Sequence, residues 1–402
     1  MADHNMPDLK QSHTGNKGET SKVAICYHFF PHYRKGIIEE IYKELPATFI
    51  GDSTGVEGIK TFQFPSNVAF IPAKCIYIGK LMIQPRLLWE TLTGQYSTYV
   101  FLANPNHLTT WIAACICRLR KKRVVFWGHG FKSSKPSNNN VIRKYFFSLA
   151  HAFYTYGFNA KKNAITLGFN PANIYVGFNS LDYYSQLSIR NRLTASIIKS
   201  STPENTLTIS CISRLTYTCR YDILFDAIAL AKNSSSINFN VVIIGDGPER
   251  SSLEAKAKEL QLNVEFLGPV YEEQRIAETL YRSDVTISPG KIGLTAMHSL
   301  MYGTPVISHD DFVSQMPEVE AVVTGFTGEL FKTGDANHLA EILTSFPARF
   351  PNREQTRKNC FAMIDRIYNP SKQIEILKMA INNVPASQGD EAFILFNEGV
   401  EK

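Results

Sequence analysis

Short apolar runs rich in β-branched and aromatic residues alternate along the chain with stretches in which apolar residues recur every three or four positions. The runs predict buried strands, and the longer period predicts helices with one buried face. In the first half the strands fall at Val23–Phe29, Tyr99–Leu102, Arg123–Trp127, Ala152–Tyr156 and Ile174–Phe178. Because strands alternate with helices, we expect a parallel α/β sheet.

A polar stretch rich in serine and threonine, residues 190–205, interrupts the alternation, which then starts again. This order is typical of a linker followed by a second doubly wound domain. Its strands are predicted at Leu207–Ile212, Val241–Ile244, Val264–Leu267, Val285–Ser288 and Pro305–Ile307, and its helices at Asp222–Lys232, Glu249–Leu260, Glu272–Tyr281 and Thr295–Tyr302.

The predicted organisation is therefore α/β, with two Rossmann-like domains. After a disordered tail over residues 1–21, the first domain takes residues 22–189 and the second takes residues 206–370. Residues 371–402 begin with a helix that we expect to pack back on the first domain. Open α/β sheets bind ligands at the carboxyl ends of their strands, so we expect the site in a cleft between the domains.

The composition narrows the class of protein. With 402 residues, 44% of them hydrophobic and 19% charged, the chain is typical of soluble proteins with two domains. It has no apolar run of the roughly 18 residues that a membrane-spanning helix needs, and its polar start does not resemble a secretory signal. Seven scattered cysteines indicate reduced thiols and a cytoplasmic location.

The basic residues are clustered, although the net charge of +6 is modest. Arg118, Arg120–Arg123 and Arg143–Lys144 belong to two predicted helices of the first domain. They could rest on an anionic membrane surface, which would place the protein at the inner face of the cell membrane. The alternative is that they complement the dipole at a helix C-terminus. We expect no nucleic-acid partner.

A glycine-containing turn leads into the predicted helix that begins at Thr295. The N–H groups of Gly293, Leu294 and Thr295 are placed to bind phosphate, because a helix N-terminus offers unpaired donors and the positive end of the helix dipole. Arg214 directly follows a strand and could add a bidentate clamp. The alternative interpretation is a tight turn beside a surface salt bridge.

Two further loops, Gly245–Glu249 and Gly268–Val270, follow strands of the second half. Together with Arg214 and the turn Ser288–Thr295, they have the order and spacing of the donor-binding domain of family 4 glycosyltransferases, which this part of the chain resembles. The resemblance implies a GT-B fold, in which two Rossmann-like domains face a central cleft. It also implies a nucleotide-sugar site formed by Arg214, Arg220, Gly245, Gly268, Val270, Lys291, Gly293, Leu294 and Thr295.

The chain departs from the family at three positions. Gly290 and His298 stand where the family has glutamates that hold the sugar hydroxyls and the ribose, and Cys219 stands where the family has a lysine. Lys291 or Arg220 could supply the missing charge. His298 could hydrogen-bond the sugar or the ribose, and the alternative is a structural histidine.

Two loops of the first domain are candidates for the acceptor side of the cleft. His129 follows a strand and stands between two glycines. The resemblance implies that it lies near the reacting sugar, and the alternative is a loop histidine without chemistry. His32, Tyr33 and Arg34 lie in the first βα loop, where aromatic and basic side chains suit an acceptor sugar that bears a phosphate.

The resemblance implies a retaining, metal-independent glycosyltransferase that needs no cofactor. It would move a sugar from a nucleotide-diphosphate-sugar to a carbohydrate or lipid-linked acceptor, with His129, Arg214 and His298 as catalytic residues. Its products would be surface polysaccharides, lipopolysaccharide among them. One alternative is a nucleotide-sugar epimerase, which needs cleft carboxylates that this site has lost. Another is a catalytically silent nucleotide-sugar binding subunit, because Gly290, His298 and Cys219 replace functional residues.

Overall fold

The computed structural model describes residues 23–55, 59–195 and 205–386. The tail predicted for residues 1–21 lies outside the described residues, as does the chain after residue 386. In the part that is described, no helix is both long enough and apolar enough to cross a membrane.

The first sheet is built from short, buried strands. These are β1 (Val23–Phe29), β2 (Ala47–Asp52), β3 (Phe70–Pro72), β6 (Thr98–Leu102), β7 (Arg123–Gly128), β8 (Ala152–Thr155) and β9 (Ile174–Val176), and a separate hairpin is formed by β4 (Ile76–Ile78) and β5 (Leu81–Ile83). The seven strands run parallel in the order β3-β2-β1-β6-β7-β8-β9. Both faces of the sheet are covered by helices, which explains the continuous apolar runs in the sequence.

The helices of the first half are α1 (Lys35–Glu44), α2 (Pro85–Thr93), α3 (Leu108–Leu119), α4 (Asn138–Phe147), α5 (Phe158–Thr166) and α6 (Tyr183–Ala195). Helices α2, α3 and α4 bury Leu87, Ala113 and Phe146 in one core cluster. Helix α1 buries Ile37 and Ile41 in a different cluster. The helices thus form two layers with the sheet between them.

The second sheet is also parallel, in the order β12-β11-β10-β13-β14-β15. Its strands are β10 (Thr206–Ile212), β11 (Asn238–Ile244), β12 (Asn263–Gly268), β13 (Val285–Ser288), β14 (Val306–His309) and β15 (Gly328–Phe331). The helices that follow are α7 (Tyr221–Ser234), α8 (Arg250–Glu259), α9 (Glu273–Arg282), α10 (Leu294–Met301), α11 (Ala336–Arg349), α12 (Arg353–Arg366) and α13 (Pro370–Asn382). The chain therefore has two Rossmann-like domains, and the predicted fold class is confirmed.

All ten strands predicted from the sequence are present, and their ends differ from the prediction by at most three residues. The sequence does not predict β2, β3, β15 or the hairpin strands β4 and β5, whose apolar runs are short. Helix α6 continues to Ala195, through the first residues of the predicted linker. Residues 196–204, the rest of that linker apart from its last residue, lie outside the described part of the chain.

The last helix, α13, packs against α1 and the first sheet. The Tyr154 hydroxyl donates to the carbonyl of Gln373 at 2.8 Å, and Arg123 Nε donates to the carbonyl of Ala380 at 2.8 Å. Leu300 of α10 belongs to the same hydrophobic cluster as Tyr154. One core therefore runs from the first domain into the second and holds the two sheets next to each other.

Candidate active site

The start of α10 offers backbone donors without partners. The N–H groups of Gly293, Leu294 and Thr295 have no acceptor among the described residues. The Thr295 hydroxyl donates to the carbonyl of Ile212 at 3.0 Å, which fixes the start of α10 against the carboxyl end of β10. Arg214 follows that strand end, is exposed and has no ion pair within the described residues. An anion at this corner would meet several amides and one free guanidinium.

Gln315, which follows β14, holds the turn in front of α10. Its side chain is buried; Oε1 accepts from the N–H of Ile292 at 2.8 Å, while Nε2 donates to the Ser308 hydroxyl at 2.8 Å and to the carbonyl of His309 at 3.2 Å. The turn is therefore preorganised by a buried amide. Sequence reasoning missed this role, because Gln315 lies far from the turn along the chain.

Two departures from the family, Gly290 and Cys219, contact each other. The N–H of Gly290 donates to the carbonyl of Cys219 at 3.0 Å. A Cβ at position 290 would lie 1.9 Å from the carbonyl oxygen of Thr218, so no side chain fits there unless the loop moves. The loop that contains the buried Cys219 thus passes directly over the place where the family has its glutamate.

The loops after β11 and β12 use glycine for close backbone approach. Gly245 has a φ of +139°, and a Cβ there would lie 1.8 Å from the carbonyl oxygen of Ser213. Gly268 has a φ of +74° and accepts from the N–H of Gly245 at 2.8 Å. Val270 packs at the edge of the interdomain core together with Leu294. These residues shape the wall beside Arg214.

The two candidates for the missing lysine charge are placed differently. Arg220 pairs with Asp222 at 3.1 Å and lies over the ring of Tyr217. Lys291 is exposed and has no ion pair within the described residues. Burial, and after it the charge of Lys291, lowers the pKa of Lys132, which belongs to the first domain. Lys291 is therefore the candidate whose charge is available at the cleft.

His298 contacts a carboxylate that sequence reasoning missed. Its Nε2 lies 3.2 Å from each carboxylate oxygen of Glu273 at the start of α9. Glu273 also accepts from the hydroxyl of Tyr302 at 2.6 Å and from Gln186 Nε2 at 2.9 Å. Burial raises the pKa of Glu273, but the hydrogen bonds from His298 and Tyr302 outweigh it and hold the pKa at about 2. A carboxylate thus stands beside α10, although it comes from another helix.

His129 lies in the first-domain wall of the cleft, with its ring 5.0 Å from that of Tyr156. Desolvation and the nearby charges of Arg34, Lys132 and Lys291 lower its pKa to about 4. The imidazole is therefore neutral at physiological pH. The influence of Lys291, which belongs to the second domain, places His129 near both walls.

The three predicted acceptor residues form one turn at residues 32–34. His32 and Tyr33 are exposed, and His32 Nδ1 lies 3.2 Å from the carbonyl of Lys60. Arg34 donates to the hydroxyls of Tyr27 and Tyr156, and its guanidinium lies 5.3 Å from each of their ring centres. The guanidinium is thus held among aromatic rings, while the side chains of His32 and Tyr33 are exposed.

Two glutamates of the segment after β14 reach the first domain. Glu320 accepts from the N–H groups of Phe158 at 2.6 Å and Asn159 at 2.7 Å, which are the first residues of α5. Glu318 accepts from Asn179 Nδ2 at 2.9 Å, and its other carboxylate oxygen is buried without a partner in the described residues. A small cavity lined by His129, Lys132 and Glu320 lies between the two walls.

Two Rossmann-like domains joined along a cleft are the organisation of the GT-B class of protein. Residues 194–389 match the family described as glycosyl transferases group 1. The resemblance found in the sequence is thereby confirmed.

One curated relative is the GDP-mannose-dependent alpha-(1-6)-phosphatidylinositol dimannoside mannosyltransferase of Mycobacterium tuberculosis. It is 32% identical over 131 residues, and the match spans 32% of this chain and 32% of the relative. Only about a third of that protein's length is thus matched.

Two solved structures share the fold over most of the chain. One is Anabaena Alr3699/HepE in complex with UDP, with a TM-score of 0.64 and 15% identity over 90% of this chain and 100% of that one. The other is the apo form of the lipopolysaccharide outer core galactosyltransferase WaaB, with a TM-score of 0.64 and 14% identity over 90% and 99% of the two chains. At these identities the similarity concerns the fold.

Proposed function

We propose that the protein is a retaining glycosyltransferase that moves a sugar from a nucleotide-diphosphate-sugar to a saccharide or lipid-linked acceptor. The observation that carries the proposal is the cradle at the start of α10, where three N–H groups without acceptors in the described residues stand beside the unpaired Arg214. Such a cradle suits a pyrophosphate whose charge grows as the bond to the anomeric carbon breaks.

The proposed reaction is front-face substitution. The amides of Gly293–Thr295, Arg214 and Lys291 hold the leaving diphosphate, which takes the proton of the incoming hydroxyl as an oxocarbenium-like centre forms. In this metal-independent mechanism, backbone dipoles and basic side chains stabilise the leaving group and no further cofactor takes part. The neutral imidazole of His129 forms a hydrogen bond with a sugar hydroxyl. His298, together with Glu273, binds the ribose or the sugar.

The relatives support a nucleoside diphosphate sugar as donor, since one is described as GDP-mannose-dependent and another was solved with UDP. The acceptor lies against His32, Tyr33 and Arg34 in the first domain. A surface polysaccharide or lipopolysaccharide product is supported by the name of the WaaB neighbour. We place the protein in the cytoplasm, against the anionic inner face of the cell membrane.

The test is incubation of the full chain with a panel of nucleotide sugars, with and without saccharide acceptors, and measurement of nucleoside diphosphate release. Release with one donor supports the transferase. A second candidate is the silent binding subunit. It is favoured by Gly290, because the neighbouring loop leaves no space there for the glutamate side chain that the family has. It would bind a nucleotide sugar in calorimetry but release no nucleoside diphosphate with any acceptor.

A further inference from the structure

The protein's net positive charge is concentrated in the first domain. Residues 58–181 contain 15 lysines and arginines but one acidic residue, Glu90. Glu90 is buried and paired with Arg86 at 2.7 Å, so it adds little negative charge to the surface. Because the whole chain has a net charge of +6, the remainder of the protein is net acidic. One side of the molecule thus attracts anions strongly.

Helix α3 has an apolar stripe on the face that points away from the core. Leu108, Ile112, Cys115 and Leu119 recur at spacings of four, three and four and are all exposed, with Leu119 at 84%. The opposite face is separately apolar and buried in the core. An outward stripe of this kind has no role in the packing of the domain itself.

The neighbours of α3 continue the apolar surface. Trp89 on α2 is 58% exposed, Tyr145 on α4 is 68% exposed and Ile78 in the β4–β5 hairpin is 61% exposed. These elements adjoin one another, because α2 packs along α3 and the ring of Trp111 on α3 lies 4.9 Å from that of Phe146 on α4. We call this surface the docking face; it consists of Ile76, Tyr77, Ile78, Leu81, Trp89, Leu92, Leu108, Ile112, Cys115, Leu119, Val141, Ile142 and Tyr145.

Basic side chains stand around the docking face. Arg118 and Lys121 lie at the end of α3, Lys144 lies on α4 and Lys80 lies in the turn of the hairpin; all are exposed. Apolar side chains that project between cations suit the boundary between acyl chains and anionic headgroups. Exposed tryptophan and tyrosine are enriched at that depth of a bilayer. A nucleic acid would use the cations but would gain little from the leucine and isoleucine side chains.

We propose that the docking face inserts its apolar side chains into one leaflet of an anionic lipid bilayer. The inference deepens the proposed function and rests on it for the acceptor, since a lipid-linked acceptor would be presented from the same leaflet. Binding depends on insertion and on charge together, so neither an uncharged bilayer nor a charged surface without acyl chains would hold the protein well.

The test uses the full chain with vesicles of phosphatidylcholine and of an equimolar mixture of phosphatidylcholine and phosphatidylglycerol. We expect sedimentation with the mixed vesicles, weakened by salt, and little with phosphatidylcholine alone. Trp89 gives a second readout: of the three tryptophans, Trp127 is buried and Trp111 is half-buried. Its emission should shift to shorter wavelength on binding and be quenched by brominated acyl chains.

Two double variants separate the contributions. Ile112→Ser with Leu119→Ser should weaken binding about tenfold through lost insertion. Lys121→Glu with Lys144→Glu should weaken it roughly tenfold or more through lost attraction. The matched controls change the exposed Leu230 to Ser and the exposed Lys258 to Glu in the second domain, and both should bind as the unaltered chain does.

Unchanged vesicle binding by the Ile112→Ser and Leu119→Ser variant, with its fold intact by circular dichroism, would overturn the proposal. The proposal would also be overturned if that variant lost self-association, measured by analytical ultracentrifugation, but still bound vesicles. Donor binding without vesicles should be the same in all these variants. A protein that binds vesicles but no nucleotide sugar would refute the proposed function and leave the docking face standing.

Discussion

Arg214 is a cation that the protein itself leaves unneutralised. It is exposed at the carboxyl end of β10, and no carboxylate among the described residues pairs with it. Arg220, by contrast, is already paired with Asp222. A guanidinium without an internal partner, next to helix amides that have no acceptor, suits the binding of an anion, which is the role we propose for Arg214.

We expect Arg214→Ala to lower kcat/KM by roughly a hundredfold, equivalent to about 3 kcal/mol of transition-state stabilisation. The kcat/KM of Arg214→Lys should lie between those of the unaltered chain and of Arg214→Ala, because lysine keeps the charge but lacks the planar guanidinium. Steady-state release of nucleoside diphosphate measures both variants. Thermal unfolding should be unchanged, since the side chain is exposed; unaltered turnover in Arg214→Ala would rule out the clamp.

Glu273 predicts a specific pH dependence of stability. Its pKa lies below the ordinary value, at about 2, so it stabilises the fold above pH about 4.5 and loses this contribution as the pH falls towards 2. Glu273→Gln should therefore lower the free energy of unfolding at neutral pH and flatten its decline in acid. Urea unfolding at several pH values measures this, with Glu259→Gln on the surface of α8 as control. An equally steep decline in Glu273→Gln would refute the assignment.

Local pattern was enough to predict the residues at strand ends and helix starts. Arg214 and Gly293 follow strands in the sequence, and the structure places both at carboxyl strand ends. That they bind a nucleotide stays a prediction. Glu273, Gln315 and Glu320 could not be found in this way, because their partners come from helices or loops distant along the chain. Their roles depend on how elements pack.

At the scale of elements, the loop after β10 and the turn before α10 act as one unit. The close contact of Gly290 with Thr218 and Cys219 leaves no space for a side chain. Gly293, three residues later, differs: a Cβ there would meet nothing nearer than 3.7 Å. The two glycines therefore form a matched pair for testing whether the loop is folded over the turn.

We expect Gly290→Ala to destabilise the protein by about 1–3 kcal/mol, because the loop must shift to admit the methyl group. Gly293→Ala should change stability by less than about 0.5 kcal/mol. Urea unfolding measures both. Equal stability of the two variants would mean that the loop does not lie over the turn, and that a family-like glutamate could be accommodated at position 290.

Most strands were predictable from their apolar and β-branched residues, whereas β3 and the two strands of the hairpin were not. Strands β1 and β13 match their predicted bounds, and all of their residues are buried except His28 of β1, which is half-buried. Strand β3 has three residues and the hairpin strands have three each, which is too short for a periodic signal. The hairpin is nevertheless part of the docking face, so the surface that we assign to lipid could be recognised only once its elements were placed together.

At the scale of the whole molecule, the two domains are joined by a carboxylate that caps a helix. Glu320 of the second domain accepts two N–H groups at the start of α5 in the first domain. A Cβ on Gly157, just before α5, would lie 2.7 Å from the carboxylate, so the approach needs a glycine there. This contact lies beside the cavity that His129 lines. We therefore expect the protonation of Glu320 to change how closely the cleft walls meet.

Burial raises the pKa of Glu320 from 4.5 to about 7, and the neighbouring Glu318 contributes in the same direction, although the two N–H groups oppose the shift. A raised pKa means that the docked arrangement binds a proton more tightly than separated domains do. Its stabilisation is therefore complete below the ordinary pKa and is lost as the pH rises through about 7. Domain closure should weaken over this interval.

We expect the radius of gyration, measured by small-angle X-ray scattering, to increase as the pH rises from about 4.5 to about 7 in the unaltered chain. Glu320→Gln cannot ionise and keeps one oxygen to accept an N–H group of α5, so its radius of gyration should not change with pH across this range. Glu259→Gln should behave as the unaltered chain does. A flat profile in the unaltered chain would mean that Glu320 does not control closure. An identical rise of the radius of gyration in Glu320→Gln would assign the opening to another titrating group. Glu318 would then be the next residue to substitute, because one of its carboxylate oxygens is buried without a partner in the described residues.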